Sequence, residues 1–121
     1  MSAREKDPRL LLPLTPLAFQ VLLALAGTPR HGYGIIQEVQ ERTAGLIRLR
    51  TGTLYTLLQR LSDEDLIEPA AQADRGDPSG RRRHYKLTPF GQDVLEAEAR
   101  RLETLLREAR QKNVLRRPSG A

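Results

Sequence analysis

The stretch "RTGTLYTLLQRL", residues 50–61, decides how this chain is read. Leu54, Leu57, Leu58 and Leu61 recur at i, i+3, i+4 and i+7, the spacing of one buried helical face. Gly52, Tyr55, Thr56, Gln59 and Asp63 fall on the opposite face, with Thr53 and Arg60 on its flank. Before Asp63 that face holds no carboxylate; the acids gather in "SDED", residues 62–65. Thr, Gln and Arg donate hydrogen bonds to base edges or phosphates, and Tyr and Thr can touch a thymine methyl or a sugar. Gly52 lets a backbone approach closely, and helix N-termini favour phosphate. Thr51 reads as the N-cap of a helix over about residues 52–64. An ordinary surface helix that happens to lack acids on one side fits the same residues, so the neighbours must decide.

Upstream, Thr15 caps a helix with Pro16 in its first turn. Leu14, Leu17, Val21, Leu22 and Leu25 form its apolar stripe, and Gly27 and Pro29 stop it after about Ala26. "HGYG" (31–34) reads as a turn. A second helix covers about residues 33–43, with Ile35, Ile36 and Val39 inward, and Gly45 ends it. Residues 46–50 read as a connector or a short strand. Downstream, "LIEPAAQ" (66–72) and "RRHYKLT" (82–88) read as strands around the turn cluster "ADRGDPSGR" (73–81), which makes a hairpin. One long helix then runs from Pro89 to about Gln111, with Thr88 as its cap.

Three helices, a hairpin and a last helix give an α+β fold, mainly α. It is a winged helix-turn-helix domain over 14–88 with a long C-terminal dimerisation helix over 89–112. Residues 1–13 are expected to be a flexible arm and 113–121 a disordered tail. In this fold the N-terminal part of the third helix enters the major groove. The hairpin, residues 74–86, carries Arg75, Arg81, Arg82, Arg83 and Lys86 against Asp74 and Asp77, a net of +3. A basic hairpin tip can straddle phosphates or reach a minor groove. The expected DNA contacts are therefore Arg50, Thr51, Gly52, Thr53, Tyr55, Thr56, Gln59 and Arg60 from the third helix. Tyr33 joins them from the second, and Arg81, Arg82, Arg83 and His84 from the wing.

Composition agrees. The 121 residues make one small domain, with 20 Lys+Arg against 15 Asp+Glu and a pI near 10.2. Seventeen of those cations are arginine, whose planar fork pairs with phosphate. Cysteine is absent, which excludes disulfides and thiolate chemistry and fits a cytoplasmic protein. "RLLLPLTPLAFQVLLALAG" ends in an A-x-A pattern that a signal peptide would show. Glu5 and Asp7, the interruptions at Pro13 and Pro16, and the one-sided stripe favour a core helix instead. The same prolines with Gln20 argue against a membrane span. His31 and His84 are far apart in sequence with no metal-ligand spacing, and no glycine-rich phosphate loop is present. No catalytic residue, metal or cofactor is expected.

In the last helix Leu95, Ala99, Leu102, Leu106 and Ala109 are spaced 4, 3, 4, 3, a heptad seam that Leu105 widens. The helix is longer than a trihelical unit needs, so this stripe is expected to hold a homodimer together.

The segments "HGYGI" (31–35), "GTLYTLLQRL" (52–61), "DLIEP" (65–69) and "GRRRHYKLTPFG" (80–91) resemble the PadR family of bacterial transcription repressors. Their order and spacing match over roughly residues 14–110, and the single helix after the hairpin resembles the short branch. Two positions depart: Thr56 stands where members commonly have proline, and Asp65 where glycine is usual. The resemblance implies a homodimeric winged-helix repressor on an inverted repeat of double-stranded DNA, released by a small-molecule effector or another signal. Some relatives hold drugs or phenolic compounds at the dimer interface. Here Phe19 is the candidate aromatic, with no Trp to complete a flat clamp. Two other functions stay open on sequence: a nonspecific architectural DNA binder, and a protein–protein adaptor on the same fold.

Overall fold

The structure is a computed structural model and describes residues 6–70 and 83–115. Four α-helices and three short strands follow a 3-10 turn at Pro8–Leu11: α1 (Pro16–Ala24), β1 (Arg30–His31), α2 (Gly32–Arg42), α3 (Thr51–Asp63), β2 (Ile67–Pro69), β3 (His84–Leu87) and α4 (Pro89–Gln111). The strands form one antiparallel sheet in the order β1-β3-β2. This is the winged helix-turn-helix arrangement expected from the sequence.

The core gathers one face from each helix. Val21 and Leu22 of α1, Ile35 and Val39 of α2, Leu54, Leu58 and Leu61 of α3, and Val94 of α4 are all essentially inaccessible. Each buried aliphatic side chain is worth roughly 1.5–3 kcal/mol against exposure, so the spacing that predicts the helices also fixes which way they turn. Two caps follow the rule that a hydroxyl accepts from the amide three residues on. Thr15 Oγ1 accepts from Ala18 N at 3.2 Å, and Thr88 Oγ1 from Gly91 N at 2.8 Å.

Thr88 also ties α4 to the end of α3. Its hydroxyl donates to Asp65 O at 2.6 Å and its amide to Leu66 O at 3.1 Å. Gly91 sits directly over this clip: a Cβ there would lie 2.0 Å from Leu66 O. Only glycine lets the first turn of α4 come so close. Asp65 itself holds φ at 65°, a left-handed conformation that glycine adopts more readily. That is the physical reason a glycine suits this position, and the departure noted above places an aspartate in a strained backbone.

Several expectations need correction. Residues 6–13 are not a free arm. Leu11 and Leu12 pack on the core, Lys6 pairs with Asp65 at 3.0 Å, and Leu14 N donates to Glu98 Oε2 at 2.9 Å. Arg50, not Thr51, occupies the N-cap of α3, and no side chain caps that end. "HGYG" is not a plain turn: Arg30 and His31 form β1 against Tyr85 and His84 of β3. Residues 46–50 carry no strand. Leu95 is 5% exposed and belongs to the chain's own core, so it is not part of a free seam. Beyond it Ala99, Leu102, Leu105 and Leu106 are exposed and Ala109 is half-buried.

Glu98 is the one buried carboxylate among the described residues, 2% exposed. Arg101 grips both its oxygens, and Leu14 N adds a third bond. The Arg101 guanidinium holds this carboxyl below the ordinary glutamate range against the opposing effect of burial, and the Leu14 amide helps.

Candidate nucleic-acid interface

Burying Leu54, Leu57, Leu58 and Leu61 forces the rest of α3 outward. Thr51, Gly52, Thr53, Tyr55, Thr56, Gln59 and Arg60 are all exposed, as is Arg50 before them. The first turn of α3 contains no acid and its amides have no side-chain cap. The uncapped amides and the positive end of the helix dipole therefore face outward together, suited to an anion.

The two halves of this face differ. Gln59 Nε2 donates to Asp63 Oδ1 at 2.9 Å, and Arg60 Nε lies 3.8 Å from Glu64 Oε1. Asp63 thus reaches back along the helix rather than standing clear of it. Residues 50–56 carry no such acid.

Tyr55 has a second job. Its hydroxyl rests on the start of α2, where a Cβ at Gly32 would lie 2.6 Å from Tyr55 Oη. The ring is still 41% exposed, so one edge packs and the other faces out. Beside it Tyr33 is 64% exposed and stacks on the His31 ring, centroids 6.5 Å apart. His31 is the N-cap of α2: its Nδ1 accepts from Gly34 N at 2.9 Å. His84, its register partner on β3, meets it edge-on at 5.1 Å and 80°. Arg83, just before β3, and Lys86 on it are exposed. The structure so brings Tyr33, Tyr55 and His84 to one corner beside the start of α3. Arg81 and Arg82 lie outside the described residues.

Sequence reasoning missed the capping role of His31, because histidine is not among the usual N-cap residues. It also missed Arg42, which bridges Glu38 at 2.9 Å and the Gln20 side chain, tying α2 to α1. The Arg42 guanidinium holds the Glu38 carboxyl below its ordinary range. The i, i+4 spacing of Glu38 and Arg42 was the available signal.

Among the described residues no group of three or more His, Cys, Asp or Glu could hold a metal ion. The two histidines do not form a ready pair either. With Nδ1 accepting, a neutral His31 carries its proton on Nε2 and offers no lone pair there. No helix among the described residues is long and apolar enough to cross a membrane. A groove of about 800 Å³ runs between Pro16 and Leu17 at the start of α1 and Thr53, Thr56 and Leu57 of α3. Phe19 packs against the core instead of lining it.

The comparisons with known proteins agree with this architecture. An uncharacterized 37.1 kDa protein in transposon TN4556 of Streptomyces fradiae is 38% identical over 85 residues, 70% of this chain. This chain spans only 22% of that protein's length. The crystal structure of a PadR family transcription regulator from Clostridium difficile R20291 superposes with a TM-score of 0.65 and 26% identity, covering 80% of this chain and 97% of that one. Bacillus subtilis PadR, solved in complex with operator DNA, shares the fold at a TM-score of 0.60 and 22% identity, over 70% of this chain and 47% of its own. The model of the transcriptional regulator PadR-like family matches residues 21–97. That match spans well over half of the 121 residues, and the chain belongs to this family.

Proposed function

We propose that this protein is a sequence-specific DNA-binding repressor that reads an inverted repeat as a homodimer. The observation that carries the reading is the outward face of α3. Its first two turns present Gly52, Thr53, Tyr55 and Thr56 with no acid among them, beside Tyr33 and the base of the wing. Donors to base edges specify sequence, and the Arg83 guanidinium just before β3 suits phosphate. The operator complex of the Bacillus subtilis protein, which shares the fold, supports the same docking mode here.

A single reading head covers one half-site. The second comes from a partner copy through α4. A helix of 23 residues is about 34 Å long. Its distal half exposes Leu102, Leu105 and Leu106 at 39%, 47% and 43%. These residues, with Ala99 and Ala109, form the dimer stripe, and Leu95 anchors the helix to its own domain. A small-molecule effector would act by changing the spacing of the two heads. On this reading the chain would work in the cytoplasm, on double-stranded DNA.

The test is a titration against the duplex from immediately upstream of its own gene, with a random duplex of equal length as competitor, at two salt concentrations. The expected result is a strong preference for the upstream duplex at two chains per site, with Tyr55→Ala eroding that preference more than general affinity. Equal, steeply salt-dependent binding to both duplexes would replace this reading with a nonspecific architectural binder. No binding to either would point to the adaptor.

A further inference from the structure

We infer that Arg48 is a further DNA-contact residue, and that with Arg50 it makes the connector between α2 and α3 a clamp for backbone phosphates. The inference rests on the DNA-binding reading above and extends it to a segment that carries no helix or strand.

The connector alternates. Ile47 packs on the core and Leu49 is buried, while Leu46, Arg48 and Arg50 are exposed. Its start is pinned. Gly45 takes a φ of 81° and its amide donates to Gln40 O at 2.8 Å, closing α2. The Thr43 hydroxyl donates to Val39 O at 2.8 Å and accepts from Ile47 N at 3.1 Å. Both chain neighbours of Arg48 are thus anchored, and its side chain faces outward. No backbone has to be ordered when that side chain meets an anion, which lowers the cost of binding.

Other arginines are committed. Arg30 binds Ala24 O, Arg42 pairs with Glu38, Arg60 lies near Glu64, and Arg100 and Arg101 pair with Glu96 and Glu98. Arg48 and Arg50 hold no hydrogen bond or ion pair among the described residues. The Arg48 guanidinium only lies over Gly45, where an added Cβ would sit 3.7 Å from Nη2. A phosphate contact from either arginine is therefore an added bond, not an exchange of one protein partner for another.

The placement suits the two walls of a groove. α2 has 11 residues and is about 16 Å long. At its start His31 pairs with His84, which Arg83 precedes; at its end stands the connector. The major groove is about 12 Å wide, so with α3 inside it cations at the two ends of α2 reach phosphates of opposite strands. Contacts of this kind fix the register on the duplex and carry no sequence information.

The experiment measures the affinity of the full chain for the upstream duplex and for a random duplex at several salt concentrations, in wild type, Arg48→Gln, Arg48→Lys and Arg107→Gln. Arg107 is exposed on the distal half of α4 and controls for net charge. Arg48→Gln is expected to weaken binding to both duplexes by a similar factor. It should also flatten the slope of log affinity against log salt by about two units, one phosphate for each chain of the dimer. Arg48→Lys should restore most of the slope, because a phosphate accepts a point charge, and Arg107→Gln should keep it. Thermal melts should place Arg48→Gln with the wild type. A slope that Arg48→Gln leaves unchanged, or changes no more than Arg107→Gln does, would overturn the inference while the DNA-binding reading stands. So would a loss confined to the upstream duplex, which would make Arg48 a base reader. A lowered melting temperature with the slope intact would make it a support of α2 and overturn the inference as well. If the wild type binds neither duplex at any salt concentration, the DNA-binding reading fails first and this inference with it.

Discussion

Replacing Gly91 by alanine tests the junction that sets α4 against the helix-turn-helix. The added methyl would sit 2.0 Å from Leu66 O and 2.9 Å from Leu66 C. Both atoms are backbone, so no rotamer can move aside, and the first turn of α4 must lift. Overpacking of this kind costs about 1–3 kcal/mol. Lifting the turn also stretches the bonds from Thr88 N to Leu66 O and from Thr88 Oγ1 to Asp65 O, each worth about 0.5–1.5 kcal/mol. Alanine's helical preference returns at most about 1 kcal/mol. The balance is a destabilisation of about 2–4 kcal/mol, or a drop of roughly 10–20 °C in Tm for a domain this size. Gly52→Ala is the control. It too lies in the first turn of a helix, but no atom stands within 4 Å of its added methyl. That variant should be as stable as the wild type or up to about 1 kcal/mol more so. Urea unfolding of all three proteins at one fixed concentration measures the difference, since the proposed homodimer would make apparent stability concentration-dependent. If Gly91→Ala unfolds within about 0.5 kcal/mol of the wild type, the clip between Thr88 and Leu66 does not constrain α4 and the reasoning fails.

The remaining predictions address the buried acid, the strained turn and the exposed stripe. Glu98 is held below its ordinary value, so its stabilisation is full above the unfolded-state value near 4.5 and is lost as pH falls through the lower folded value. Thermal melts of wild type and Glu98→Gln should therefore differ most near neutral pH and converge in acid, and a gap that widens in acid would count against the assignment. Asp65→Gly relieves the positive φ at the cost of the exposed Lys6 pair, and should leave the protein equally or more stable in urea. A clear loss would mean the aspartate side chain matters more than its backbone. Leu102→Glu with Leu106→Glu should halve the mass seen by sedimentation while leaving the helical circular dichroism largely intact; an unchanged dimer would remove this stripe from the interface.

Much of the fold was legible because its signals are local. The leucines of α3 and the caps at Thr15 and Thr88 act over three or four residues, so their spacing carries them. What failed was set by distant partners. The strand β1 has two residues and exists only because His84 and Tyr85 pair with it, more than fifty positions later. Residues 6–13 look like a charged arm until Leu14 N meets Glu98 across the fold. Glu98 itself looked like one of several balancing charges along α4, and nothing in its neighbours marks it as buried. Leu95 obeys the heptad arithmetic, but the arithmetic cannot say whether a leucine packs on its own domain or on a partner.

The candidate interface shows the same division at finer scale. Sequence placed eight residues from 50 to 60 on the reading side, and all eight are exposed. It could not rank them, because ranking depends on what each side chain already holds. Gln59 must release Asp63, and Arg60 must leave Glu64, before either can meet DNA. Every bond they form there is an exchange, and an exchange contributes less than a bond made by a free donor. Thr53 and Thr56 have no such partner to surrender, and Tyr55 is already held by its packing on Gly32. Discrimination between sequences should therefore concentrate in the first two turns of α3. On the proposed reading, Gln59 and Arg60 would act chiefly by holding Asp63 and Glu64 along the helix, away from the phosphates that those carboxylates would repel.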